Sequence, residues 1–117
     1  MINTEGKTFG DISIVFCNDD YLLKINESFL DHDFYTDIIT FDYNEANKVA
    51  GDLIISIDRV KENAKHFGVR FENELQRVII HGILHLCGHH DKTKAQEKRI
   101  RALEDRYLSE LHKQQQV

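Results

Sequence analysis

The stretch His81-Gly82-Ile83-Leu84-His85-Leu86-Cys87-Gly88-His89-His90-Asp91 decides how the chain folds around its chemistry. On an α-helix, residues four apart are offset by about 40° round the axis and about 6 Å along it, so His81 and His85 project side by side and can grip one metal ion. Gly88 falls where such a helix should stop, because glycine takes the left-handed C-cap conformation without steric cost and turns the chain back over the helix end. Asp91 is then best spaced to close the site as third ligand, in the pattern HxxxHxxGxxD, with His90 and His89 as nearby competitors. An isolated HxxxH pair is more often an exposed helix face or a satisfied core pair. Here Val78, Ile79, Ile80, Ile83, Leu84 and Leu86 make the helix apolar nearly all round, which predicts burial of the whole element. Imidazoles in such surroundings need a partner, and two of them with one carboxylate suit zinc, leaving a fourth position open. One Zn2+ ion is the expected cofactor.

With 117 residues the chain is expected to form one domain over residues 1–117. Its net charge of −5 offers no global attraction to nucleic acid or anionic membrane, so a polyanion must be held by a local basic patch or by the metal. Cys17 and Cys87 are too few for a disulfide framework, and the N-terminus lacks the basic and apolar regions of a signal peptide. A cytoplasmic protein with no membrane association is expected. Cys87 lies well round the helix from the face shared by His81 and His85, which predicts a small buried hydrophobe rather than a ligand.

Residues 1 to 10 read as a frayed start or a turn, and Asp11 to Cys17 as a strand with Ile12, Ile14 and Phe16 on one face. Asn18-Asp19-Asp20 caps a helix ending near Leu30, and after an acidic, aromatic segment Ile38 to Phe41 forms a second strand. Asp42 to Ala50 reads as a loop, and Leu53 to Ser56 as a central strand covered on both faces. Ser56 or Asp58 caps the next helix, which Gly68 ends; Asn73 is a candidate cap within the link to the histidine helix. Thr93 to Gln96 has the form of a capping box, opening a last helix with Ile100, Leu103, Tyr107 and Leu111 on one stripe, and Gln114 to Val117 should fray. The expected fold is α+β: a small mixed sheet of three to four strands packed by four to five helices, the HxxxH helix buried beside the sheet.

Such a metal site makes hydrolysis the default reaction. Zinc proteases of the HExxH type carry their general base directly after the first histidine, and that place is Gly82 here. Glycine inside a helix costs about 1 kcal/mol relative to alanine, so Gly82 implies either a close approach of backbone or substrate, or tight packing on a neighbouring strand. Asp37 and Asp52, at strand starts, are candidates for the base or for a partner to a ligating imidazole.

HGILHLCGHHD, with TDIITF over Thr36 to Phe41 and GDLIIS over Gly51 to Ser56, resembles the YbeY family of metal-dependent endoribonucleases, across residues 11 to 112. The resemblance implies ribosomal RNA maturation, including 3′-end processing of 16S rRNA, and ribosome quality control. It implies ribosomal RNA, the small ribosomal subunit and a ribosome-associated GTPase as partners. The family pattern HGxLHLxGYDH puts its ligands at the first, second and last histidines, which fall on His81, His85 and Asp91. Asp91 replaces a histidine, and His90, standing where the family commonly has aspartate, is the rival third ligand. The family arginine of the spacing NxxYR falls on Leu30, so Arg59, Lys61, His66 or Arg70 would have to supply its charge. Relatives usually carry a further strand and helix ahead of the first strand. Other expectations are a metal-dependent hydrolase of peptides or small amides, a structural zinc site, and a non-catalytic ribosome-binding metalloprotein.

Overall fold

The computed structural model describes residues 5–30, 36–45 and 48–115. The readings for residues 1–4, the acidic aromatic segment 31–35 and the last two residues lie outside these. The elements run β1 (Thr8–Cys17), α1 (Asp19–Leu30), β2 (Ile38–Asp42), β3 (Lys48–Ser56), α2 (Ile57–Phe67), α3 (Phe71–Leu86) and α4 (Lys94–Gln115). This is the expected α+β arrangement, with three strands and four helices among the described residues.

Strand order is β1-β3-β2, so β3 is central as its apolar run predicts. It pairs parallel to β1, with Ile14 opposite Leu53, and antiparallel to β2, with Ile39 opposite Ile54. Its two faces are not equally covered. Val49, Leu53 and Ile55 are buried while Ala50, Asp52 and Ile54 between them are only half-buried. α3 packs on the first face; α1 packs on β2 and β3, with Ile39 buried on the second. Ile12, Ile14 and Phe16 share the α3 face by register, yet only Ile12 joins the cluster there, because β1 is an edge strand. β3 begins at Lys48, inside the stretch that reads as a loop, because backbone partners across the hairpin and on β1 fix it: Tyr43 N–H bonds Ala50 at 2.9 Å and Thr8 lies opposite Lys48.

Local sequence sets most helix ends. Asn18 accepts from the Tyr21 amide at 2.8 Å, and Ser56 from the Arg59 amide at 3.2 Å. Thr93 and Gln96 exchange side-chain and backbone bonds at 3.1 and 3.2 Å, the reciprocal capping box. α4 continues to Gln115, past the expected fraying point. Asn73 caps nothing; α3 starts two residues earlier, after Arg70, with no side-chain cap. The end of α3 is a Schellman turn: Gly88, at φ 102°, donates to His85 and His89 to Leu84, both at 3.0 Å. Among the described residues no helix is long and apolar enough to cross a membrane.

α3 is packed on two sides. Leu75, Val78, Ile79, Ile83 and Leu86 lie against the sheet and α2, while Ile80 and Leu84 meet Ile100, Tyr107 and Leu108 of α4. Gly82 faces Ile38 and Leu53, whose methyls would stand 2.6 and 2.9 Å from an added Cβ, so tight packing on the sheet accounts for this glycine.

Candidate metal centre

His81 and His85 stand one turn apart in the last part of α3, and the Schellman turn at Gly88 brings Asp91 back over them. The Nε2 atoms of the two rings are 2.9 Å apart, and Asp91 Oδ2 is 3.5 Å from each. The rings meet edge to face at 72°. Donors on one tetrahedral ion, at about 2.0–2.2 Å from it, stand roughly 3.3 Å from one another. These three ligand atoms, all within 4.8 Å of one another, are therefore close enough to share a single divalent cation.

The competing ligands point elsewhere. His89 turns its Nε2 to the Glu5 carboxylate, which also accepts from the Tyr107 hydroxyl. His90 is exposed and outside the converging set. Cys87 packs half-buried with Val49, Leu53 and Leu86, as a small hydrophobe should.

Behind the pair lies a carboxylate that periodicity alone did not single out. Glu104 of α4 is 3 % exposed, and its Oε2 is 2.7 Å from His81 Nδ1. Its Oε1 accepts from Arg77 at 3.0 Å, and Arg77 also bonds Asp105 at 2.7 Å. The sequence did hold a signal: Glu104 sits on the buried stripe of α4, between Ile100 and Tyr107, where a charge is costly unless paired. Burial alone would raise the Glu104 pKa, but bonds from His81 and Arg77 outweigh it and hold the carboxyl below the usual range. For His81, burial opposes protonation, yet the Glu104 bond and charge, aided by Asp91 and Asp37, push its pKa up. For His85, burial and the neighbouring His81 charge push the pKa down.

All three donors line a cleft of about 280 Å³ with Thr36, Asp37 and Thr40, and His81, Asp91 and Asp37 also line a second cavity of about 280 Å³ with Asn63, Arg101 and Glu104. Asp37 is the carboxylate candidate that reaches the site, and its burial raises its pKa. Asp52 lies on the sheet face turned from α3 and accepts from the Tyr43 hydroxyl at 3.0 Å. Of the suggested substitutes for the family arginine, Arg59 pairs with Asp19 at 3.0 Å and Arg70 with Glu72, while Lys61 and His66 are exposed; none lines the cavity. Among the described residues, the arginines of that second cavity are Arg77, spent on Glu104 and Asp105, and Arg101, more than half exposed and 3.6 Å from Glu104.

The family profile described as Endoribonuclease YbeY matches residues 2–112. The chain belongs to the YbeY family. A YbeY endoribonuclease of Porphyromonas gingivalis is 59 % identical over 103 residues, covering 88 % of this chain and 68 % of the relative. One from Flavobacterium psychrophilum is 50 % identical over 115 residues, covering 98 % and 82 %. The solution structure of TM1509 from Thermotoga maritima superposes with a TM-score of 0.68 at 28 % identity, covering 98 % of this chain and 76 % of the other. The YbeY resemblance of the three motifs thus extends over nearly the whole sequence, and the α+β fold is shared with that solved structure.

Proposed function

We propose that His81, His85 and Asp91 hold one zinc ion, and that this YbeY family hydrolase uses it to cut single-stranded ribosomal RNA during rRNA maturation and ribosome quality control. The chain is an endoribonuclease by family; the convergence of three donors on one open cleft is the observation that carries the rest. When bound, the ion supplies Lewis-acid stabilisation of charge developing on a phosphoryl group.

The chain's own side chains do the remainder. Arg101, in the second cavity, is more than half exposed although 3.6 Å from Glu104, and is the arginine proposed to meet a phosphate in place of the family cation that falls on Leu30. Asp37 faces the same space, and its raised pKa suits a carboxyl that takes a proton from an attacking hydroxyl and returns it to the leaving oxygen. Gly82, pressed on Ile38 and Leu53, leaves no room for the glutamate of an HExxH peptidase, which favours RNA over peptides or small amides. With three protein donors in the set among the described residues, a site open to substrate is favoured over a closed structural zinc. The small ribosomal subunit and a ribosome-associated GTPase are the proposed partners, and the cytoplasm the proposed compartment.

Zinc-loaded protein should cleave single-stranded ribosomal RNA and spare duplex, and His81→Ala should abolish both cleavage and stoichiometric zinc measured by mass spectrometry. Asp91→Ala should lose the ion and His90→Ala should keep it. Intact RNA with wild type, or equal cleavage by His81→Ala, would show the proposal to be wrong.

A further inference from the structure

We infer that Glu104 is a positioning residue for the metal: by accepting a hydrogen bond from His81 Nδ1–H it fixes the tautomer that presents Nε2 to the ion, and so ties metal affinity to the docking of α4. The inference rests on the ligand set proposed above and concerns a residue outside it. A carboxylate this buried, bonded at once by Arg77 and by His81, acts as an acceptor only, so the shared proton of the 2.7 Å contact belongs to the ring. With Nδ1 protonated, the lone pair of the neutral imidazole is on Nε2, the atom 2.9 Å from His85 Nε2 and 3.5 Å from Asp91. The ring also cannot rotate away without breaking that bond.

Arg77 holds the other oxygen of Glu104, and Ile100, Tyr107 and Leu108 seat the same stretch of α4 on Ile80 and Leu84. The carboxylate is thus placed by packing, not by the ion. Among the described side chains His85 has no second carboxylate behind it as His81 has Glu104; it bonds the His89 backbone in the turn instead. The two imidazoles are oriented by different parts of the fold.

Zinc affinity measured by competition with a chromophoric chelator tests this, with long-range proton–nitrogen NMR reading the His81 tautomer. Partners of ligating histidines typically contribute about 10–100-fold in affinity, so Glu104→Leu should weaken zinc binding by that factor and mix the tautomers. Glu104→Gln keeps an acceptor without the charge; it should preserve the Nδ1–H tautomer and weaken binding by about 10-fold, the bottom of that scale. Should Glu104→Leu fail to fold, Glu104→Gln carries the test. Arg77→Leu removes the neighbouring ion pairs and loosens Glu104 but leaves the His81 contact, so it should lower thermal stability and weaken zinc binding by less than Glu104→Leu does. Unchanged affinity in both Glu104 variants while His81→Ala loses the ion would overturn this inference alone. So would an Arg77→Leu loss as large as that of Glu104→Leu, since Glu104 would then act only by holding the fold. If His81→Ala binds zinc like wild type, the proposed site itself falls, and this inference with it.

Discussion

The two sides of α3 are held in different ways. Towards the sheet, contact is a matter of shape: Gly82 lets Ile38 and Leu53 close in, and Gly51 lets Leu86 approach β3. Towards α4, apolar contacts at Ile80 and Leu84 are joined by the polar chain His81–Glu104–Arg77–Asp105. A shape-filled side tolerates no polar group and can do no chemistry. The side closed by paired charges costs more to build, and it alone can aim a ring nitrogen.

The contrast breaks if damage to the sheet side weakens the site as much as damage to the α4 side. Leu53 is fully buried, so Leu53→Ala should cost about 2–5 kcal/mol in chemical unfolding while leaving the zinc affinity of the folded fraction unchanged. A smaller effect separates the two glycines. At Gly51 an added Cβ would stand 2.4 Å from the Phe41 carbonyl oxygen, a backbone atom that cannot swing aside, so Gly51→Ala should cost about 1–3 kcal/mol. At Gly82 the obstacles are the tips of Ile38 and Leu53 side chains, and the helix gains roughly 1 kcal/mol from alanine, so Gly82→Ala should cost less than Gly51→Ala.

The smallest effect is one of pH and distinguishes the two imidazoles. His81 has its pKa raised above 6.5 in the fold, so it adds stability below 6.5 that is lost as pH rises through the folded value. Glu104, depressed below 4.5, adds stability above 4.5 that is lost as pH falls through its own folded value. In metal-free protein the pair therefore contributes most between 4.5 and 6.5. His85 runs the other way: with its pKa lowered, it costs stability as pH falls below 6.5. Thermal melts in chelator should show the largest gap between wild type and Glu104→Gln at about pH 5–6, narrowing at higher pH as His81 loses its proton. A gap that widens above neutrality would contradict the assignment.

How much of this was legible follows from chain separation. His81, His85, Gly88 and Asp91 fall within one helix end and its turn, so helical spacing and the conformational freedom of glycine were enough to bring them together. The caps at Asn18, Ser56 and Thr93 were legible for the same reason. Glu104 lies 23 residues from His81, and only the docking of α4 unites them. Arg101 likewise reaches the cavity through tertiary packing, and so looks like an ordinary exposed helix residue in sequence. The early start of β3 is invisible because Lys48 and Val49 take their strand conformation from β1, about forty residues upstream. Asn73 misled because a good capping residue was present where none was needed.

Because the three donors come from eleven consecutive residues, little loop-closure entropy stands between an extended chain and a chelating one. The denatured polypeptide should keep part of its grip on zinc. Saturating ion would then raise the melting temperature by less than its affinity for the native protein suggests, since only the difference between the two affinities stabilises the fold.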